Sequence, residues 1–333
     1  MTSRRRLLAA SAAAVPLSLG APLVARAQTG FPIRPVRVLV PFSPGGATDT
    51  VARPLAHRLA ELWGQPVLVD NRPGAAGNIA LEAAMRALPD GYTLFIGNVT
   101  TNAISETLYP KVFDKLRPSR DLVGVTNLVE IPHVLLAHPS VPGADAKEFA
   151  AHARKIPGKL NYASSGIGSY PHLDMIMFQR AAGIEMTHIP YKGGAGQMVP
   201  ALLGNESQVT FLNIAVTIEH IRAGRLKALA MTTPQRLPEL PGVPTMAELG
   251  FPGIGTNAWN GLFAPAAIPR PLLGRLHAET VKIMNSPEVR DLFGKILMQV
   301  ATSKSPEDYS AFVRAETAKW AKVIKDNNIR IDI

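Results

Sequence analysis

The sequence predicts an α/β fold built as two similar domains, and three observations carry that expectation. Short β-branched and apolar runs alternate with helical patterns. The alternation starts twice, about 120 residues apart. In each half a loop of small residues joins a strand to the helix that follows. The length of 333 residues suits two domains at about 150 residues each. With 47% apolar and 18% charged residues, the composition is that of a globular protein with core enough for both.

The first strand is read from Val36-Arg37-Val38-Leu39-Val40-Pro41-Phe42, a run suited to burial in a parallel sheet. Residues 43–49, Ser-Pro-Gly-Gly-Ala-Thr-Asp, break it. A helix follows with Val51, Leu55, Leu59 and Leu62 on one side. A second strand over 66–69 leads through Asn71-Arg72-Pro73-Gly74-Ala75-Ala76-Gly77-Asn78 into a helix to about Leu88. Asp90-Gly91 then turns the chain into a third strand over 92–96. The second half repeats the scheme: a strand over 160–163, a loop over 164–169, and a helix with Leu173, Ile176 and Met177 inward. Further strands are read over 187–190 and 208–212, with Gly193-Gly194-Ala195-Gly196 opening a helix between them. The end is helical over 271–284, 287–297 and 306–326. Two extended stretches, 131–138 and 259–265, are the expected crossings between domains. Two crossings make one domain discontinuous: 28–131 with 259–333 form domain 1, and 132–258 form domain 2.

The N-terminus reads as an export signal. Arg4, Arg5 and Arg6 precede an uncharged run from Leu7 to Val24, and Ala25-Arg26-Ala27 places small residues where a signal peptidase reads them. Ser3-Arg4-Arg5-Arg6-Leu7-Leu8 fits a twin-arginine signal. Cleavage after Ala27 removes four arginines and no acid, lowering the net charge from +10 to +6. A periplasmic location follows. The remaining basic residues are scattered and not gathered with aromatics on one face, so no nucleic-acid partner is expected.

The chemistry is expected in the loops. In an open α/β sheet, ligands sit beyond the carboxyl ends of strands, and a helix N-terminus there offers free N–H groups and a partial positive charge to an anion. Enzyme patterns are missing. The sequence has no cysteine, no complete Gly-x-Gly-x-x-Gly, no phosphate-binding Gly-Lys-Ser/Thr loop and no Gly-x-Ser-x-Gly elbow. His133 and His138 lie on an extended stretch with no carboxylates to complete a metal site. Ser165, His172 and Asp174 form a hydrolase relay on paper only, and Lys192 reads as solvated.

Seven motifs together resemble one family. Val36-x-Val38-x-Val40-Pro41-Phe42-x-Pro44-Gly45-Gly46-Ala47-Thr48-Asp49 looks like the opening of the Bug family, the substrate-binding proteins of tripartite tricarboxylate transporters. The match continues in Gly64-Gln65-Pro66-Val67 with residues 71–78, in residues 89–94, and in residues 157–166. It ends with Pro190-Tyr191-Lys192-Gly193, residues 241–245, and Trp259-x-Gly261-Leu262-Phe263-Ala264-Pro265. The resemblance implies a periplasmic Venus-flytrap fold, type II-like, whose two domains joined by two crossings close on a small organic acid. It implies no cofactor and no metal, and a membrane permease as the partner. One ligand carboxylate would be held by Ser43, Gly45, Gly46, Ala47, Thr48 and Asp49 with Ser164, Ser165, Gly166, Ser169 and His172. Asn98, Thr100 and Thr101 would form another wall, and Asn213 would face the far end. The alternatives are a receptor signalling to a sensor kinase and an exported hydrolase.

The chain departs from the family pattern in places. Pro54 falls near the first turn of the first helix, where it is expected to delay or kink it. The turn at 204–209 is long, and Tyr170-Pro171-His172 is atypical. Leu212 stands where many relatives carry aspartate, which argues against an amino-acid ligand.

Overall fold

A computed structural model describes residues 30–331. The export signal expected over residues 1–27 lies outside the described residues. No helix among the described residues is long and apolar enough to cross a membrane.

The chain begins with β1 (Val36–Val40), α1 (Ala47–Trp63), β2 (Val67–Asn71), α2 (Asn78–Met85) and β3 (Thr93–Asn98). A π turn over Val99–Ile104 and the short helices α3 (Ser105–Leu108) and α4 (Pro118–Asp121) lead to β4 (Leu122–Ile131). The chain next runs through β5 (His133–Ala137), α5 (Ala146–Ala153), β6 (Asn161–Ser164), α6 (Tyr170–Ala182), β7 (Thr187–Pro190), α7 (Ala195–Leu203), β8 (Val209–Asn213), α8 (Ile218–Arg222) and β9 (Lys227–Met231). It returns with β10 (Ala258–Pro265), α9 (Arg270–Met284), α10 (Pro287–Gly294), β11 (Gln299–Val300) and α11 (Pro306–Asp326).

These strands form two sheets. The first has the order β11-β4-β10-β3-β1-β2, so it draws strands from both ends of the chain; the second has the order β7-β6-β8-β5-β9. β1 pairs in parallel with β2 and β3, whereas β10 enters antiparallel between β3 and β4. In the second sheet β6 is parallel to β7 and β8, and β5 is antiparallel to β8 and β9. The mixed α/β class expected from the alternation is therefore what forms.

Local chemistry sets the elements. Val36, Val38, Leu39 and Val40 are buried while Arg37 reaches solvent, so β1 carries the sheet's apolar interior. Helix α1 ends on Gly64, whose φ of 62° is the left-handed conformation that glycine tolerates. The Asp145 carboxylate caps α5, and the Ser286 and Ser305 hydroxyls cap α10 and α11, each with proline in the first turn of the latter two helices. Beneath the first sheet, Trp259, Phe263 and Tyr309 pack among Phe95, Val313 and Trp320; beneath the second, Phe149, Phe178 and Phe211 form the core.

Several expectations shift. The stretch 131–138 changes sheet within a single residue: Ile131 ends β4 in the first sheet and His133 starts β5 in the second, leaving only Pro132 between them. The stretch 259–265 is an interior strand of the first sheet, and the return lies before it, between β9 and β10. Strand β3 runs on to Asn98, α2 stops at Met85, and α10 stops at Gly294, after which Leu297 takes a φ of 60°. Helix α1 starts at Ala47 and continues through Pro54. Proline is tolerated there because the helix on both sides is held by burial of Val51, Leu55 and Leu59.

Candidate ligand-binding site

The loop after β1 is shaped by Asp49. Its carboxylate oxygens accept from Arg53 Nε and Nη2 (both 2.8 Å), Gly45 N (3.0 Å) and Asn71 Nδ2 (3.0 Å). Burial alone would raise this carboxyl's pKa, but the hydrogen bonds from Arg53, Gly45 and Asn71 and the guanidinium charge outweigh it and hold the pKa below its ordinary value. Asn71 Nδ2 also reaches the Phe42 carbonyl at 2.9 Å. The Asp49 carboxylate thus ties the loop, α1 and the end of β2 together, and leaves Gly46, Ala47 and Thr48 at the helix start facing a cavity.

The loop after β6 holds itself in a similar way. Ser164 Oγ donates to Gly166 O (3.1 Å), accepts from Gly166 N (3.1 Å) and meets His188 Nε2 at 2.6 Å. Ser169 Oγ donates to Gly166 O at 2.7 Å, and His172 Nδ1 accepts from Gly168 N at 3.1 Å. The rings of Tyr162, His188 and His172 stack behind the loop, with centroids 4.9 and 4.2 Å apart. Burial pushes His172 down to about 3 and His188 down to about 4, so both rings are neutral at pH 7. Asp174 is not part of a relay with them: its two oxygens accept from Thr256 N (3.0 Å) and Thr256 Oγ1 (2.8 Å).

The two sheets meet through these loops. Ser43 N donates to Gly193 O at 3.1 Å, Tyr170 N donates to Thr100 Oγ1 at 3.2 Å, and Tyr109 Oη donates to Ile167 O. Glycine makes the approach possible: a Cβ on Gly166 would come within 3.3 Å of Ala76 N, and one on Gly196 within 2.5 Å of Pro44 O. Asn98 and Thr101 cap the π turn reciprocally, Thr101 N donating to Asn98 Oδ1 (3.2 Å) and Asn98 N to Thr101 Oγ1 (3.0 Å).

What the loops enclose is a cavity of about 40 Å³. Of the residues expected at the site, Gly46, Ala47, Thr48, Asn98, Ser165 and Asn213 line it. Ser43, Gly45, Asp49, Thr100, Thr101, Ser164, Gly166, Ser169 and His172 lie behind the wall, where they make the loop-shaping and loop-joining contacts described above. The wall also contains Leu212, which the sequence marked as a departure bearing on ligand choice, and residues not expected there: Phe42, Ile131, His133, Tyr170, Gly194, Ala195, Met198, Ala258 and Asn260. The signal for Gly194 and Ala195 was present, since a Gly-rich helix start was recognised there. For His133 and Asn260 none existed without the strand register.

The electrostatics follow from helix ends. α1, α6 and α7 all begin at the wall, through Ala47, Tyr170 and Ala195, and each N-terminus carries roughly half a positive charge. The wall holds no Asp, Glu, Lys or Arg. Among the described residues no group of three or more acidic or histidine side chains could hold a metal ion. Such a cavity attracts an anion through backbone dipoles and fixes it with amides and hydroxyls.

The family model described as "Tripartite tricarboxylate transporter family receptor" matches residues 51–329. The chain belongs to this receptor family. Among curated relatives, the Bordetella pertussis (strain Tohama I) protein BugT is 34% identical over 304 residues, covering 90% of this chain and 91% of its own. Two proteins of Rhodopseudomonas palustris are similar in structure. Rpa4515, solved with adipate, is 33% identical with a TM-score of 0.84, covering 90% of this chain and 99% of its own. MatC, solved with malate, is 33% identical with a TM-score of 0.82, covering 88% and 100%. The fold of this tripartite tricarboxylate transporter receptor is the two-domain solute-binding fold, and its relatives by sequence and structure are binding proteins.

Proposed function

We propose that this receptor is exported, captures a small organic acid between its two lobes, and delivers it to the membrane subunits of a tripartite tricarboxylate-type transporter. The observation that carries the reading is the cavity: it is lined by both lobes, faced by three helix N-termini, and free of Asp, Glu, Lys and Arg. An anion bound there joins the lobes, because α1 belongs to one side and α6 and α7 to the other. Adipate in Rpa4515 and malate in MatC support a carboxylate as the ligand class. The mature protein begins at Gln28, after twin-arginine export and cleavage behind Ala27. Its lobes are 28–131 with 259–333, and 132–258; the change of sheet between β4 and β5 supports these limits.

A thermal-shift screen of the mature protein against mono-, di- and tricarboxylates, aromatic acids and neutral controls tests this. A ligand at 100 times its Kd adds about 2.7 kcal/mol to stability. The expected result is a shift confined to one group of acids. No shift with any acid, together with no acid found by mass spectrometry of the denatured protein, would remove the carboxylate reading.

A further inference from the structure

The floor of the cavity is made by two cross-strand pairs. Asn260 of β10 lies opposite Asn98 of β3 in the first sheet, and His133 of β5 lies opposite Asn213 of β8 in the second. All four face the same cavity. Two are committed to the protein through their side-chain oxygens: Asn98 accepts from Thr101 N, and Asn213 accepts from Val216 N at 3.3 Å. The other two are not. Asn260 is 2% exposed and His133 0% exposed. The Asn260 Nδ2 finds no hydrogen-bond partner, and the His133 nitrogens make none of good geometry, only a weak one to the Thr256 backbone. Thr48 Oγ1, at the start of α1, is likewise without a partner.

Ten buried side-chain polar atoms lack partners among the described residues, and four of them belong to these three cavity-wall side chains. A buried donor left unpaired costs about 1–3 kcal/mol. Three such side chains gathered on one small wall are the complement of a ligand. His133 is also held in place: its ring stacks on Tyr170 with centroids 4.5 Å apart and planes at 16°.

The chemistry of the pair limits what the ligand presents to it. Burial lowers the pKa of His133 to about 3, so the imidazole is neutral at pH 7, with one nitrogen donating and the other accepting. Asn260 Nδ2 only donates. A carboxylate only accepts and would leave the accepting imidazole nitrogen unpaired. An ammonium only donates and would leave Asn260 Nδ2 unpaired, with no acidic side chain on the wall to balance it. A hydroxyl does both.

We propose that His133 and Asn260 are the specificity-determining residues of this receptor and that they select a small hydroxy acid. The carboxylate lies at the helix starts with Thr48, and the hydroxyl lies between the imidazole of one lobe and the amide of the other. The assignment rests on the carboxylate reading above and adds the class of acid.

Calorimetry of the mature protein with matched acids tests it, using lactate against propionate and malate against succinate. The hydroxy member of at least one pair is expected to bind tenfold or more tightly than its deoxy partner. In His133→Phe, which keeps the ring stack but has no nitrogen, and in Asn260→Leu, that ratio should fall towards one. The readout is the ratio within each pair, whichever way the affinity for the deoxy acid itself moves. Because the wild-type ratio needs no variant, misfolding of either substitution does not decide the outcome. Equal affinity within both wild-type pairs, or an unchanged ratio in both folded variants, overturns the hydroxyl assignment and leaves the carboxylate reading standing. If none of the four acids binds and no hydroxy acid is recovered from the purified protein, the assignment is overturned. Recovery of a different carboxylate in that case would preserve the broader reading.

Discussion

At Gly196 the two lobes come within a methyl group of each other. The residue sits in the first turn of α7, where alanine is a better helix former than glycine, yet an added Cβ would stand 2.5 Å from the Pro44 carbonyl across the cleft. Gly196→Ala should therefore leave the stability of the free protein equal or slightly higher while penalising closure. Apparent affinity falls in proportion to the population of the closed form, so a loss of tenfold or more is expected by calorimetry on whichever acid the screen identifies. Unchanged affinity would mean that the loops do not approach this closely when ligand binds. Asp49 belongs to the same scale. Sequence reading placed it among the ligand contacts because it ends the Gly-Gly-Ala-Thr-Asp motif; in the structure its carboxylate shapes the loop from behind.

At the scale of elements, α1 carries the clearest tension between local rule and tertiary context. Pro54 is the eighth residue of a 17-residue helix and has no N–H for the Thr50 carbonyl. The buried apolar face formed by Val51, Leu55 and Leu59 carries the helix on past it. Replacing Pro54 with alanine should raise unfolding free energy by about 1–2 kcal/mol in urea, less than the full interior penalty because the unfolded chain also gains freedom. Acid affinity should change by less than twofold, since the helix start at Ala47 is fixed by Asp49, whose partners Gly45, Arg53 and Asn71 are all kept. A fall in stability would show that proline is fitted to this site. The elements themselves were largely readable, because a period of two or of about 3.6 is written into side-chain order. Their ends were not: β3 and α10 were misjudged by two or three residues, where pairing partners rather than local pattern decide the last residue.

For the molecule as a whole, buried titratable groups set the pH profile. His133, His172 and His188 have folded pKa values lowered by burial to about 3, 3 and 4 from 6.5, so between these values and 6.5 the unfolded chain binds three protons that the folded one refuses. Their contribution is fully present above 6.5 and lost as pH falls. Asp174 acts in the opposite sense: burial raises it to about 7 from 3.8, so the folded chain holds one extra proton between those values. Two more protons are then bound by the unfolded state across pH 4–6.5, and stability rises with pH there. Only the weaker Asp174 effect remains just above 6.5. Melting temperature should climb from pH 4.5 to a maximum near 6.5 and decline gently to 7.5. A flat profile from 4.5 to 6.5 would show that the histidines are hydrated in solution.

The sequence by itself determined the class of the fold, β1 to β3 and β6 to β8 with the helices between them, the C-terminal helices and the two small-residue loops. Those features depend on local pattern and on the freedom of glycine, and both can be read along the chain. It also determined the family, through motifs that keep their order and spacing. Only the tertiary structure decided which residues face the cavity. His133 and Asn260 are single polar residues on buried strands, with nothing in their neighbourhood to mark them. They become a pair because β5 lies against β8 in one sheet, β10 enters between β3 and β4 in the other, and the two sheets close on each other. Such register comes from contacts far apart in sequence, and no local period encodes it.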